Sequence, residues 1–286
     1  MTARSRSIAA SPAGMLSHLP AGNSLVLFVD FDGLERAGVL KLLSQSKVAE
    51  EPEYKAFVQA TGFDYRRDLD LAALSFHNDG QFFIVKGRFD WKKLEQYARE
   101  HGGDCGGAGL CRMNGSTPER RISFFPLQSN LMALAVSPDS LAAARLGDLQ
   151  RGAVQPLDPP SDPVWMSVPP DALKAGEKLP AGTRMFTTAL AAADKIQLSL
   201  GPERGQFAAR LQVTCRTAQE AAALTVQLQH ATTLLRDMIA RENQKPNPKD
   251  LSGVLTAGVF LQSGRRVLGQ WPLATGFLES LATGAE

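Results

Sequence analysis

The feature that most constrains the fold of this chain is an internal duplication. Three segments of its first half recur in its second half, in the same order and at nearly constant spacing. The matched pairs are "LVLFVDFDGLERAG" (25–38) with "VWMSVPPDALKAG" (164–176), "LSFHNDGQF" (74–82) with "LSLGPERGQF" (198–207), and "FFPLQSNLMALAVSP" (124–138) with "GVFLQSGRRVLGQWP" (258–272). Repeated order at repeated spacing is the sequence signature of a duplicated structural unit. We therefore predict two copies of one fold.

A proline-rich segment marks the boundary between the two copies. In "QPLDPPSDP" (155–163) the prolines fix φ and remove backbone donors, so neither a helix nor a central strand can continue through it. The predicted organisation is a flexible N-terminus at 1–18, a first repeat at 19–152, a linker at 153–163 and a second repeat at 164–286.

Both copies predict the same order of elements: strand, helix, hairpin, helix, hairpin, helix. Short apolar runs at 25–29 and 164–168 have the length of buried strands, and turn residues separate the strands of each hairpin. In the first copy, we expect a helical region from about Gly33 to Ala60 after the first strand, Asp90 as the cap of the middle helix, and a last helix that begins at Pro138. Hairpins segregated from helices favour an α+β fold of two tandem repeats with largely antiparallel sheets.

The middle helix of the second copy is predicted over residues 217–242. One apolar stripe runs along it at alternating spacings of four and three residues, formed by Leu224, Leu228, Ala231, Leu235 and Met238. Such a stripe packs on the neighbouring sheet of its own repeat, or it forms a coiled-coil seam with another chain. The sequence therefore leaves open a self-association through the 217–242 helix.

Charge and hydropathy exclude two classes of partner. Thirty-one Lys and Arg residues face 29 Asp and Glu residues, a net charge of +2 with both signs interspersed, so we predict no nucleic-acid partner. No apolar run reaches the length of roughly 18 residues that a transmembrane helix needs. Residues 1–22 have the basic start of an export signal without its apolar region, so we expect a cytoplasmic location unless the given start omits a signal.

Cys105 and Cys111 lie close together in the glycine-rich segment "HGGDCGGAGLCRMNGS". Five intervening residues allow the two thiols to meet as a disulfide, which would favour an oxidising compartment. Free thiols, or a metal site completed by His101, are the alternatives. Cys215 is expected to be a small buried hydrophobic residue.

Other polar residues give little sign of chemistry. The histidines at positions 18, 77, 101 and 230 are scattered, and none lies at metal-ligand spacing from another. Asp68 and Asp70 precede a predicted strand at a spacing of two, and we expect them to form a solvated edge or a cation-binding pair.

The first strand ends in Asp-x-Asp-Gly, the most direct sign of chemistry in the chain. Asp30 could serve as a nucleophile, or an acid at this position could serve the start of the following helix. In the second copy Pro169 stands in place of Asp30, whereas Asp171 keeps the position of Asp32. The acid common to both copies favours the helix start, where it accepts hydrogen bonds from free N–H groups and complements the helix dipole.

The same segment resembles the first motif of the haloacid dehalogenase superfamily. The resemblance implies that Asp30 attacks a phosphoryl group while Asp32 acts as acid and base beside Mg²⁺. Ser137, at the end of "LMALAVS", matches a further element of that family. Leu34 stands where the family has Thr, and we find no lysine ahead of a strand that ends in paired metal-binding acids. The parallel sheet that this family has also conflicts with the predicted hairpins.

The segment "LPAGNSLVLFVDFDGL" (19–34) is similar to the starts of uncharacterised bacterial envelope proteins, in which Leu-Pro-Ala and a polar turn precede an apolar strand. The similarity implies an extracytoplasmic location and no particular activity. We expect a non-enzymatic binding or scaffolding protein without a cofactor, whose protein or small-molecule partner binds in a groove between the repeats. The alternative is a Mg²⁺-dependent phosphatase using Asp30 and Asp32.

Overall fold

In the computed structural model of the chain, the described residues are 11–20, 22–39, 52–115, 117, 119–148, 162–173 and 181–283. The chain divides into two compact units, Met1–Asp32 with Val48–Pro159 and Gly33–Lys47 with Pro160–Glu286. Both contain helices and antiparallel sheet, which confirms the predicted α+β class. Most of the predicted linker lies outside the described residues.

Up to residue 148 the chain forms six helices and seven strands within the described residues. In chain order they are α1 (Pro12–Ser17), β1 (Leu25–Asp30), α2 (Phe31–Arg36), α3 (Pro52–Thr61), α4 (Tyr65–Asp68), β2 (Leu69–His77), β3 (Gly80–Gly87), α5 (Trp91–Glu100), β4 (Asp104–Cys105), β5 (Cys111–Met113), β6 (Arg121–Gln128), β7 (Leu131–Ser137) and α6 (Ala142–Asp148). The strands are ordered β1-β2-β3-β7-β6-β5-β4, and every neighbouring pair is antiparallel.

From residue 164 onward the described chain forms five helices and five strands. They are β8 (Val164–Val168), α7 (Pro170–Leu173), α8 (Ala181–Leu190), β9 (Lys195–Glu203), β10 (Gln206–Thr214), α9 (Ala218–Arg241), α10 (Leu251–Thr256), β11 (Val259–Ser263), β12 (Arg266–Leu273) and α11 (Thr275–Thr283). The strand order is β8-β9-β10-β12-β11, again with antiparallel neighbours. None of the described helices is long and apolar enough to cross a membrane.

The Gly-Gln-Phe segment that the sequence repeats lies at a hairpin turn in both halves of the chain. Gly80 opens β3 with φ of 157°, and Gly205 precedes β10 with φ of 82°. Arg204 also has a positive φ of 46°, so both central residues of the β9–β10 turn are left-handed. Two positive φ values match the twist of the flanking strands, which is why a tight hairpin needs glycine there.

The core of the first unit includes the packing of α5 on its sheet. Leu94 and Ala98 of the helix lie against Cys111, Phe124 and Met132 of β5, β6 and β7. The side chain of Asp90 accepts a hydrogen bond from the Lys93 amide, which confirms the predicted N-cap. The cap satisfies a first-turn N–H that has no partner within the helix.

The core of the second unit is covered by α9, which lies against β11 and β12. The helix confirms the prediction over residues 217–242, and Thr217 and Glu220 form a capping box at its start. Of the predicted stripe, Leu224, Leu228, Ala231 and Leu235 are buried, whereas Met238 is exposed. The stripe therefore packs within its own unit.

Two predicted helix starts were wrong by a few residues. The last helix of the first half begins at Ala142 instead of Pro138, because Ser137 and Asp139 make a turn before it: the Ser137 hydroxyl accepts from the Asp139 amide, and Asp139 Oδ1 accepts from the Leu141 amide. The helix after β1 begins at Phe31, directly after the strand, instead of at Gly33. Residues 40–51 of the helical region that we predicted there lie outside the described residues.

Candidate functional site

The structure places Asp30 and Asp32 at the junction of β1 and α2. Asp30 is the last residue of β1 and Asp32 lies in the first turn of α2. Asp171 lies likewise in the first turn of α7. A carboxylate in the first turn complements the positive end of the helix dipole. Asp32, the acid shared with the second copy, thus lies inside the helix, whereas Asp30 is the residue immediately before the helix.

The other residue matched to the phosphatase motif lies far from this junction. Across the sheet, Asp30 aligns with Leu71, Lys86 and Leu131, at the start of β7. Ser137 is six residues farther along β7, about 20 Å along the strand and three strands away. Because β7 runs antiparallel to β1, the C-terminal end of β1, with Asp30, and the C-terminal end of β7, with Ser137, point in opposite directions.

The described residues contain no cluster of three or more His, Cys, Asp or Glu side chains that could hold a metal ion. Cys105 and Cys111 face each other across β4 and β5 and form a disulfide. The ring of His101 stacks on Tyr97 with centroids 3.9 Å apart, and its Nδ1 lies 2.8 Å from the Tyr97 carbonyl oxygen. The alternative metal site at His101 therefore has no thiolates to use.

Asp68, which we expected at a solvated edge, is buried and ion-paired, so that prediction was wrong. Its carboxylate accepts hydrogen bonds from Arg67 Nη2 at 2.8 Å, from Arg88 Nε at 3.3 Å and from the Asp64 amide at 2.9 Å. The hydrogen bond from Arg67 lowers the pKa of Asp68 to about 2, against the opposing effect of burial. This ion cluster ties the start of β2 to the end of β3.

Asp162 and Arg210 form a second cluster, within the second unit. Arg210 Nη1 donates to both carboxylate oxygens of Asp162 at 2.9 Å, and Nη2 donates to Glu203 at 2.5 Å. Ser199 Oγ donates to Asp162 at 2.5 Å. Burial opposes the charge on Arg210, but the two carboxylates outweigh it and raise the pKa of the guanidinium. Every charge in this cluster has a partner, as expected of a structural network.

A small polar pocket of about 240 Å³ lies beside the disulfide hairpin and includes Arg112, Arg121 and Ser140. Arg112 is ion-paired with Asp104 in the same pocket wall. Gly102 and Gly103, just after the C-terminal end of α5, also line it. The partial negative charge of the helix C-terminus and the Arg112–Asp104 ion pair offset part of the positive charge that the two arginines bring to this pocket.

A larger groove, of about 600 Å³, lies between α8 and α9. Met185 and Ala189 of α8 and Ala231 and Leu234 of α9 line it. Arg184 and His230 supply polar groups at its exposed walls. Its surface is apolar for the most part, with a single cationic side chain and no acid.

The sequence pattern predicts only one apolar stripe on the 217–242 helix, so this groove was not expected from the sequence. Val226, Leu234 and Met238 form a second apolar set on the exposed side of α9. Their spacing of eight and four residues was present in the sequence as a signal. The groove also needs α8, and nothing in the sequence relates Met185 to Leu234.

Comparisons with known proteins bear on the fold alone. No protein-family model matches the sequence, and no curated protein matches it either. Among solved structures, crystal form I of TP0453 is similar with a TM-score of 0.50 and 12% identity, over 93% of this chain and 95% of that chain. Crystal form IV of TP0453 gives a TM-score of 0.49 and 10% identity over the same shares. At this identity the likeness carries no activity with it.

Proposed function

We propose that this chain is a binding or scaffolding protein, and that the groove between α8 and α9 is a docking surface. The observation that carries the proposal is the apolar lining of that groove by Met185, Ala189, Ala231 and Leu234. Val226 and Met238 extend the apolar surface along α9. Large apolar side chains gathered on the surface of a protein mark sites of interaction.

The proposal includes a duplicated module, which the path of the chain supports. In both halves the chain follows the same path: one strand, then a hairpin, and then a second hairpin whose later strand pairs with the first hairpin. The strand orders are β1-β2-β3-β7-β6 and β8-β9-β10-β12-β11. The matched segments also fall at equivalent places, since Leu127-Gln128 and Leu261-Gln262 both lie at the end of the second hairpin's first strand.

The two copies differ at the helix that covers the sheet. In the first copy this helix is α5, with 10 residues, and the disulfide hairpin β4–β5 follows it. In the second copy it is α9, with 24 residues, and the groove lies beside it. A duplication in which only one copy carries a long exposed helix is consistent with one copy specialised for docking.

We further propose an extracytoplasmic location. The Cys105–Cys111 disulfide supports it, since structural disulfides persist in oxidising compartments. The similarity of residues 19–34 to bacterial envelope proteins points the same way.

The docking surface is tested with 1-anilinonaphthalene-8-sulfonate, a dye that fluoresces at accessible apolar surface. We compare Leu234→Glu, in the groove, with Leu268→Glu on β12; the two leucines are exposed by 36% and 40%. Loss of the dye signal in the first variant and its retention in the second is the expected result. Equal signals from both variants and the parent chain would show that the groove is no binding surface.

The second candidate function is the Mg²⁺-dependent phosphatase with Asp30 and Asp32. The specific observation in its favour is the Asp-x-Asp-Gly motif directly after β1. Hydrolysis of p-nitrophenyl phosphate with Mg²⁺ is measured for the parent chain and for Asp30→Asn. Equal and negligible rates end this candidate, whereas a rate that Asp30→Asn abolishes replaces the binding function with an enzymatic one.

A further inference from the structure

We propose that the occupant of the α8–α9 groove is a second copy of this chain, docked through an antiparallel crossing of the two α9 helices. The inference rests on the docking surface proposed above and names its partner. It differs from a coiled-coil seam through Leu224 and Leu228, because those side chains are buried inside the unit.

The contact surface is a ridge of exposed residues along α9. Val226, His230, Leu234 and Met238 follow one another at spacings of four residues, and Val226, Leu234 and Met238 are exposed by 64%, 36% and 42%. Side chains four residues apart form a continuous ridge on a helix. Two such ridges interdigitate when the helices cross at about −50°, with their axes roughly 8–10 Å apart.

The ridge has a two-fold spacing that suits a symmetric pair. Val226 and Met238 are equidistant from residue 232, and so are His230 and Leu234. In an antiparallel pair, His230 of one copy therefore meets Leu234 of the second copy. A symmetric dimer uses the same patch on both copies, so a self-complementary ridge is what it requires. Antiparallel helices also place their dipoles in a favourable orientation.

Charge complementarity supports a second copy as the occupant. Arg184 lies on the groove wall, and Asp237 is exposed beside the ridge. Neither is ion-paired to another described residue of its own chain. The antiparallel pairing brings Asp237 of the second copy opposite Gln227, a residue of the groove that also holds Arg184. The pairing thus brings an acidic side chain of one copy to the groove that holds a cationic side chain of the other copy.

The available area predicts a weak, reversible dimer. The α9 helix is about 36 Å long, and a crossing at about −50° limits close contact to its central turns and the adjacent groove. We expect roughly 500 Å² to be buried on each copy, below the roughly 800 Å² per partner of a standard interface. Dissociation in the micromolar range or above follows from an interface of this size.

The first test is sedimentation of the full chain from about 1 µM to about 500 µM. The expected result is a reversible rise of the average mass toward that of a dimer. A monomer mass at every concentration would overturn the inference, while a dye signal that depends on Leu234 would still support the docking surface. The dimer and the docking surface can therefore be disproved independently of each other.

Matched variants locate the interface. Val226 on α9 and Val259 on β11 are exposed by 64% and 60%, so Val226→Glu and Val259→Glu change equally accessible valines. Leu234→Glu and Leu268→Glu form a second matched pair. We expect the two α9 variants to weaken dimerisation at least about tenfold and the two β-hairpin variants to leave it unchanged. Circular dichroism checks that each variant is folded. Weakening by the β-hairpin variants instead would assign the dimer to the β11–β12 face and overturn the inference.

Cysteine crosslinking tests the antiparallel orientation. His230→Cys and Leu234→Cys are purified separately, mixed and oxidised, and the crosslinked products are weighed by mass spectrometry. The antiparallel pair predicts that the mixed product exceeds the sum of the two homodimers, which is the share that random pairing would give, because positions 230 and 234 face each other across the two-fold axis. Leu268→Cys is the control and should remain uncrosslinked. Homodimers of each variant in excess of the mixed product would indicate a parallel pair and contradict the proposal.

Discussion

Gly201 lies against the carboxyl group of Asp162, so closely that a Cβ at position 201 would come within 2.6 Å of Asp162 Cγ. The carboxylate cannot swing away freely, because Arg210 and Ser199 hold both of its oxygens. The absence of a side chain at position 201 is therefore part of the ion cluster on β9 and β10.

We predict that Gly201→Ala lowers the free energy of unfolding by about 1–3 kcal/mol, the usual cost of overpacking a fixed contact. Urea denaturation of the full chain measures it. Gly107→Ala is the matched control, because a Cβ at position 107 meets nothing within 4 Å. The loss should shrink when Asp162→Ala is combined with Gly201→Ala, since the clash is with that side chain. An unchanged loss in the double variant would contradict this account.

The stability of the chain should depend on pH through Asp68. Its pKa is about 2 in the folded protein, below the usual value of 3.8, so the folded state favours the charged form. Its contribution is present above pH 5 or so and is lost as the pH falls toward 2, with a size of about 2 kcal/mol. We expect Asp68→Asn to unfold with a shallower pH dependence below about pH 5 than the parent chain.

Asp70→Asn is the control for this prediction, because Asp70 lies two residues away on β2 and is ion-paired to no described residue. Chemical denaturation at several pH values gives the slopes. If Asp68→Asn and the parent chain lose stability in parallel as the pH falls, the buried ion cluster does not govern the acid response.

Removing the Cys105–Cys111 disulfide should destabilise the first unit. The bridge closes a short loop between β4 and β5, and Cys111 is fully buried under α5. The loss for Cys105→Ala with Cys111→Ala is about 2 kcal/mol from the unfolded-chain entropy of so short a loop. Cys215→Ala, which removes a buried free thiol, is the control for loss of a sulfur atom from the core. A reducing agent should destabilise the parent chain and leave the double variant unaffected.

The capping box at the start of α9 predicts a loss of about 1 kcal/mol for Thr217→Ala. The Thr217 hydroxyl accepts a hydrogen bond from the Glu220 amide at 3.1 Å, and that amide has no partner within the helix. Thr233→Ala changes the same residue type on an exposed central turn of the same helix, where alanine has the higher helix propensity. Thermal unfolding of the two variants should therefore move in opposite directions.

Local features of the fold could be predicted because their causes lie within a few residues. The cap at Asp90, the α9 helix over 217–242 and the turns between hairpin strands each depend on neighbours in the chain. The burial of Asp68 could not be predicted in this way, since Arg88, which pairs with it, comes from the end of another strand. The candidate groove was missed for the same reason, because α8 and α9 are separated by the whole β9–β10 hairpin.

The sequence by itself determined the alternation of helices, strands and turns, and with it the α+β class and the antiparallel hairpins. Periodicity, caps and turn residues depend on residues that are only a few positions apart in the chain, so they can be recognised from the sequence alone. Only the tertiary structure decided which of the two apolar stripes on α9 is covered by the sheet and which stays exposed beside α8. That choice depends on the surfaces that distant segments bring to the helix, and side-chain identity along the helix does not encode it.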